Sequence, residues 1–314
     1  GLMLIFRYTN NTLKRMKNMK ALIITLASVC ALSLLAATPT VEQDDVTMTQ
    51  SGRKVLITYT LRNAPAIITV DIQTNDTTAG WVSIGVENFT SLVGEVNKIV
   101  RTLDTPLTVT WAAKSDWPDH TVEGGNIRAV VKAWALDCPP DYLVTDLTGD
   151  KMHKFYVSEA AIPNGVHAAE YKTTKMVFRM IPSGSFMMGS PTDEEGRGSS
   201  YGGEDYHGVV LTNPYYIGVF EVTQRQYALV MGSNPSSYAG DTRAANNMTY
   251  TTIRGSVNGV GWPTHNQVDA NSFMGRLRSK ANMLFDLPTE AQWEFACRAG
   301  SSTPFNNGKG SAGI

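Results

Sequence analysis

Cysteine is scarce in this 314-residue chain, which has only three. That number excludes a disulfide scaffold and any multi-cysteine zinc module. A basic excess is missing too: 27 lysines and arginines face 28 aspartates and glutamates, a formal net charge of −1. Nothing in that balance points to nucleic acid. Charged residues make up 18% of the chain and hydrophobic ones 42%, a mixture that excludes disordered and fibrous classes. The spacings of an HExxH zinc site and a P-loop are absent. At roughly 100–200 residues per domain, the length allows two domains and a leader.

Long apolar runs are nearly absent as well. The one run long enough to weigh as a membrane span covers residues 21–35, ALIITLASVCALSLL. It follows Lys14, Arg15, Lys17 and Lys20 and is followed by Ala36 and Ala37. A basic start, an apolar core and a small-residue exit describe a secretory signal peptide, and the run is short of the roughly 20 residues a span needs. Cys30 follows Val29 inside the core, which is not the setting of a lipid-attachment cysteine. The expectation is an exported protein, periplasmic, cell-surface or secreted, with no membrane contact after cleavage. Met16 or Met19 would start a leader of ordinary length, so residues 1–15 are expected to lie outside the fold. Removing residues 1–37 takes away five basic and no acidic side chains, leaving a net charge of −6.

From Val46 the pattern turns to period two. Val55, Ile57, Tyr59 and Leu61 alternate with polar residues, as do Ile68, Val70 and Ile72, then Leu107, Val109 and Trp111, then Ile127, Ala129, Val131 and Ala133. Alternation puts one face of each strand into a core. Turn-rich segments separate the strands, so residues 44–137 read as an all-β sandwich of immunoglobulin or fibronectin type. Residues 138–175 contain Pro139-Pro140 and Pro163-Asn164-Gly165 and read as a connector packed along the next domain. Residues 176–314 read as a loop-rich α+β domain. Thr223-Gln-Arg-Gln226 and Thr289-Glu-Ala-Gln292 are capping boxes. A further helix is predicted over residues 267–280 on the stripe Ala270, Phe273 and Leu277.

Five ordered segments carry a resemblance. They are Met180-Ile-Pro-Ser-Gly-Ser-Phe-Met-Met-Gly-Ser190, Glu204-Asp-Tyr-His207-Gly-Val-Val-Leu211, Tyr215-Tyr-Ile-Gly-Val-Phe-Glu-Val-Thr-Gln-Arg-Gln-Tyr227 with Met231-Gly-Ser-Asn-Pro-Ser236 after it, residues 257–262, and Leu287-Pro-Thr-Glu-Ala-Gln-Trp-Glu-Phe-Ala-Cys-Arg-Ala-Gly300. Together they resemble the first half of the formylglycine-generating enzyme (sulfatase-modifying factor) family domain. Gly261 stands where the family commonly has serine. The resemblance implies a C-type-lectin-like α+β scaffold, partial here. It also implies oxidation by O₂ of a cysteine in a sulfatase-type protein or peptide to formylglycine. For a complete member it implies Cu(I) on two thiolates, a soft-ligand site, and bound calcium.

In the family those thiols and the calcium loops lie in the second half of the domain. The chain stops at Ile314 soon after the Trp293 segment, so the expectation is a fragment without the catalytic half and without activity of its own. Behind the leader only Cys138 and Cys297 remain. Cys297 reads most simply as a small buried hydrophobe, and a Cys138–Cys297 disulfide is an open alternative. Catalytic and cofactor-binding residues are therefore unassigned, and no metal site or cofactor is expected in these residues. Phe186, Met188, Gly189 and Trp293 read as core and turn scaffolding. Glu221, Arg225, Glu290, Glu294 and Arg298 read as structural ion pairs, and His207 as a hydrogen-bonded structural histidine. His120 and Glu123 are weak as a ligand set. Trp111 and Trp134 read as core and Trp117 as a turn anchor. The alternative function is a non-catalytic lectin-like module that binds carbohydrate or an envelope protein. The non-haem iron sulfoxide synthases share the domain but carry a helical, histidine-bearing N-terminal domain, unlike the β pattern here.

Overall fold

The computed structural model describes residues 2–6, 38–85, 89–149, 153–194, 197 and 204–305. The signal peptide read over residues 21–37 lies outside them. Among the described residues, no helix is long and apolar enough to cross a membrane. The chain divides into two units, one of Tyr8–Leu136 and one of Gly1–Arg7 with Asp137–Ile314. Strand β1 (Ile5–Phe6) belongs to the second.

The Tyr8–Leu136 unit holds two antiparallel sheets. One runs β2 (Thr47–Ser51), β3 (Lys54–Thr60), β8 (Pro106–Trp111) and β6 (Val93–Gly94) in spatial order. The other has β4 (Ala66–Asp76) between β5 (Gly80–Ser83) and β7 (Ile99–Val100), with β9 (Ile127–Ala135) also paired along β4. The alternating residues read from the sequence are the ones that meet. Ile57, Tyr59, Leu61, Ile68, Val70, Ile72, Leu107, Val109, Trp111, Ala129 and Val131 form one buried cluster. Each such aliphatic side chain contributes about 1.5–3 kcal/mol by leaving water. Two polar groups enter this core with partners, as burial requires. The Tyr59 hydroxyl donates to the Glu95 carbonyl at 2.6 Å. The Trp111 Nε1–H donates to Asp116, at the end of the one-turn helix α1 (Ala113–Asp116).

Trp134 departs from the expected core position. It falls on the other parity of β9 from Val131 and Ala133, so its ring lies on the outer face. There it is half-buried, with Nε1–H on Thr69 Oγ1 at 2.8 Å and the Lys132 ammonium 3.6 Å from the ring centroid. Trp117 is half-buried and stacks on His120 at 4.0 Å. His120 also contacts the Pro118 carbonyl through Nδ1 at 2.7 Å and is exposed, as is Glu123.

The second unit is built on a six-stranded antiparallel sheet. Its order is β11 (His153–Tyr156), β10 (Tyr142–Asp146), β12 (Lys175–Ile181), β15 (Tyr215–Gly218), β1 and β16 (Phe285–Asp286). A hairpin of β13 (Gly184–Met188) and β14 (His207–Leu211) stands beside it. Two expectations are corrected here. Residues 138–175 are not a connector, because β10 and β11 supply two strands whose Leu143, Val144, Phe155 and Tyr156 are buried. Residues 1–15 do not all lie outside the fold, because residues 2–6 fill a gap between β15 and β16. Leu2, Leu4, Ile5 and Phe6 are buried there.

Helix α2 (Gln224–Met231) has its capping box at Thr223 and Gln226 and ends at Gly232, whose φ is +79°. Glycine adopts that left-handed conformation at no steric cost. Helix α3 (Tyr250–Arg254) is short, and helix α4 (Phe273–Ala281) packs on α2 through Tyr227 and Phe273, stacked at 5.0 Å. The helix predicted from residue 267 begins only at Phe273. Ser272 is its N-cap and accepts from the Gly275 amide, while Asp269 upstream is committed to a loop. Helix α5 (Glu290–Arg298) opens at the Thr289–Gln292 box.

Candidate functional site

The motifs of the second unit converge on α5 and the loops beside it. Glu294 and Arg298, one turn apart on α5, form an ion pair at 2.7 Å. The pair grips the turn after β13 at both polar atoms of one residue. Glu294 accepts from the Gly189 amide at 2.9 Å, and Arg298 donates to the Gly189 carbonyl at 2.8 Å. Gly189 has φ +85°, and a Cβ there would sit 2.5 Å from the Asp205 carbonyl oxygen. Phe186 reaches across to Phe295 at 5.2 Å. Of the residues expected in ion pairs from the sequence, Glu294 and Arg298 are thus brought together; Glu221, Arg225 and Glu290 lie at the surface. His207 is exposed, with Nδ1 on the Asp205 carbonyl at 2.6 Å.

Sequence reasoning missed a charged cluster under the loop of residues 255–269. Arg254 is fully buried and donates to both Asp286 oxygens, at 2.8 Å from Nε and 3.1 Å from Nη2. Its remaining donors meet Tyr250, the Gly259 carbonyl and the Gln267 carbonyl, and its guanidinium lies 4.8 Å from the Trp262 ring centroid. Arg278 donates to the same Asp286 at 2.8 Å and to the Phe285 and Asn266 carbonyls. Burial pulls Arg278 below the usual arginine range against the pull of Asp286. Asp269 ties down the outer part of the loop, accepting from the Ser256, Val257 and Asn258 amides. Those amides, Asn258 first, hold its carboxyl below the usual carboxylate range. Each of these charges is saturated by protein groups, so the cluster fixes a loop and offers no reactive atom.

An open cleft of about 590 Å³ lies where these pieces meet. Asn246, Asn247, Met248, Pro288, Glu290 and Trp293 are on its wall. Trp293 was expected in the core but is 48% exposed. On α5 it is Gln292, Phe295 and Ala296 that face the unit, because the Tyr215 hydroxyl binds the Gln292 carbonyl and Ala296 packs on Ile5, Tyr215 and Ile217. Trp293 is left on the solvent side of the turn. Cys297, four residues on, is exposed and not the buried hydrophobe expected.

The two thiols are not brought together. Adjacent residues of a strand point to opposite faces. The Tyr216 hydroxyl reaches the Pro140 carbonyl at 2.5 Å, and the Tyr215 hydroxyl reaches Gln292 on α5 at 2.6 Å. Pro140, two residues after Cys138, and Gln292, on the helix that carries Cys297, are thus reached from opposite faces of the sheet. Both cysteines are exposed and no disulfide joins them. Among the described residues, no group of three or more His, Cys, Asp and Glu could hold a metal ion. A paired-thiolate Cu(I) site does not fit the donors at hand.

These features define a class: a β-rich α+β domain whose long loops are pinned by buried polar side chains around short, boxed helices. Residues 164–312 match the family model described as the sulfatase-modifying factor enzyme 1-like domain. The chain therefore carries a formylglycine-generating enzyme family domain, which begins inside the segment first read as a connector. No curated protein and no solved structure matches the chain.

Proposed function

We propose that this chain is an exported protein of the sulfatase-modifying factor family whose 314 residues do not themselves carry the cysteine oxidation associated with that family. In this reading the second unit is the family's C-type-lectin-like scaffold, and the Tyr8–Leu136 unit is a sandwich of immunoglobulin or fibronectin type. The observation that carries it is that the two free thiols, Cys138 beside Pro140 and Cys297 on α5, belong to segments that Tyr216 and Tyr215 reach from opposite faces of one sheet. Two thiolates separated in this way cannot share one soft ion. The test is the full chain incubated with Cu(I), O₂ and a cysteine-bearing sulfatase peptide, read by mass spectrometry. The peptide should remain a thiol. Conversion to formylglycine above the protein-free control would defeat the reading.

The cleft supports a second reading, a binding module. An indole face beside two carboxamides and a carboxylate can stack on a sugar ring and bond its hydroxyls. A glycan array with the full chain should then give hits that Trp293→Ala abolishes. An array blank for the wild type would remove carbohydrate as the ligand.

A further inference from the structure

Residues 2–6 are held as a ligand is held. Main-chain pairing runs along both edges, Ile5 with Ile217 and Asp286, and Phe6 with Tyr216 and Phe285. Two more bonds extend the grip, from the Gly218 amide to the Leu4 carbonyl at 2.9 Å and from the Val222 amide to the Leu2 carbonyl at 2.8 Å. The two faces of the strand enter different apolar pockets. Ile5 is fully buried among Tyr215, Ile217, Ile181 and Ala296. Phe6 meets Tyr216 and Phe285 at ring separations of 6.3 and 5.8 Å. A Cβ at Gly218 would lie 2.9 Å from the Phe220 carbonyl oxygen but only in ordinary contact with Met3 and Leu4, at 3.5 and 3.8 Å, so the strand packs directly on this position.

The covalent link to the rest of this sheet is remote. Residues 7–141 separate Phe6 from Tyr142, the next residue of the sheet along the chain. A tether that long adds little effective concentration, so the strand's hold rests on its own contacts.

We propose that the slot between β15 and β16 is a strand-acceptor site, a peptide-binding site for an extended apolar segment. Its occupant is residues 2–6 of this chain, and it keeps that occupant without a covalent connection. Recognition is β-augmentation: the two free edges supply main-chain bonds, and the two pockets select apolar side chains, an aromatic at the place of Phe6. A cut anywhere between Phe6 and Thr38 then leaves the second unit complete. This holds whether or not the leader is removed during export.

The test uses the full chain with a specific protease site inserted between Asn11 and Thr12, so that the released fragment lacks the apolar run of residues 21–35. After cutting, gel filtration should show the short fragment eluting with the large one. Separation of the two would overturn the proposal, whatever becomes of the remainder. In a second arm, fluorescent peptides are added to the cut wild-type protein. A peptide of residues 1–7 should displace the fragment at a concentration at least tenfold lower than the same peptide with Ile5→Asp. Equal displacement by the two peptides would also overturn it, because the pockets would then play no part in selection.

Discussion

At Asp286 one carboxylate compensates two buried guanidinium groups, and the loop of residues 255–269 hangs from that arrangement. Removing one partner of a buried ion pair leaves an uncompensated charge and costs about 3–5 kcal/mol. Asp286→Ala should therefore lower the urea midpoint of the second unit by that equivalent, with loss of protection in amide exchange over residues 255–269. A change under about 1 kcal/mol would mean that water reaches Arg254 after all. His153 gives a pH-dependent counterpart. Burial lowers its pKa, partly offset by its bond to the Ala281 carbonyl. The folded form thus binds a proton less readily than the unfolded chain, whose imidazole titrates near 6.5. The contribution to stability is fully present above about pH 6.5 and is lost as the pH falls from there through the depressed folded value. Melting of the full chain between pH 7.5 and 5 should show that loss, and His153→Gln, which keeps a hydrogen-bonding side chain but does not titrate, should flatten it. An unchanged slope would place the pH dependence elsewhere.

Among elements, the ones whose cause is local could be read directly from the sequence. Both capping boxes are present as predicted, with Gln226 and Gln292 returning to the amides of Thr223 and Thr289 at 2.9 and 3.0 Å. The period-two segments of the Tyr8–Leu136 unit bury the expected residues for the same reason. What the sequence hid is non-local. Residues 2–6 look like part of a leader because their partners, Tyr216 and Phe285, are more than two hundred positions away. Arg254 is one arginine in a glycine-rich stretch, and only the return of Asp286 to the sheet explains its burial. Cys138 and Cys297 could be counted but not placed, whereas the outward turn of Trp134 was legible, since it alternates with Ile127, Ala129, Val131 and Ala133 in the same strand. The element-scale prediction is at Thr289. Thr289→Ala removes the acceptor for the Gln292 amide and should cost about 1 kcal/mol, whereas Thr289→Ser should cost only a few tenths. If the two variants melt alike, the box is not what starts α5.

For the whole molecule, the division at Leu136 and Asp137 makes a prediction about which pieces fold. Residues 38–136 contain both sheets of their unit and, among the described residues, the whole of the cluster around Trp111. Expressed alone, they should give one cooperative thermal transition; a broad, sloping melt would show that the cluster is incomplete. A piece cut at the sequence-derived boundary, residues 176–314, should behave in the opposite way. It lacks β10 and β11 on one side of the sheet and β1 within it, leaving Met176, Phe178, Tyr216 and Phe285 without the strands that cover them. Open sheet edges beside exposed aromatic faces favour association, and that piece should be found in the insoluble fraction. Residues 137–314 restore the outer strands but still lack β1, so solubility should return in full only when a peptide of residues 1–7 is supplied during refolding. Recovery of soluble, cooperatively melting 137–314 without the peptide would show that β16 can close on β15 by itself, and that the gap between them is not an obligate part of the sheet.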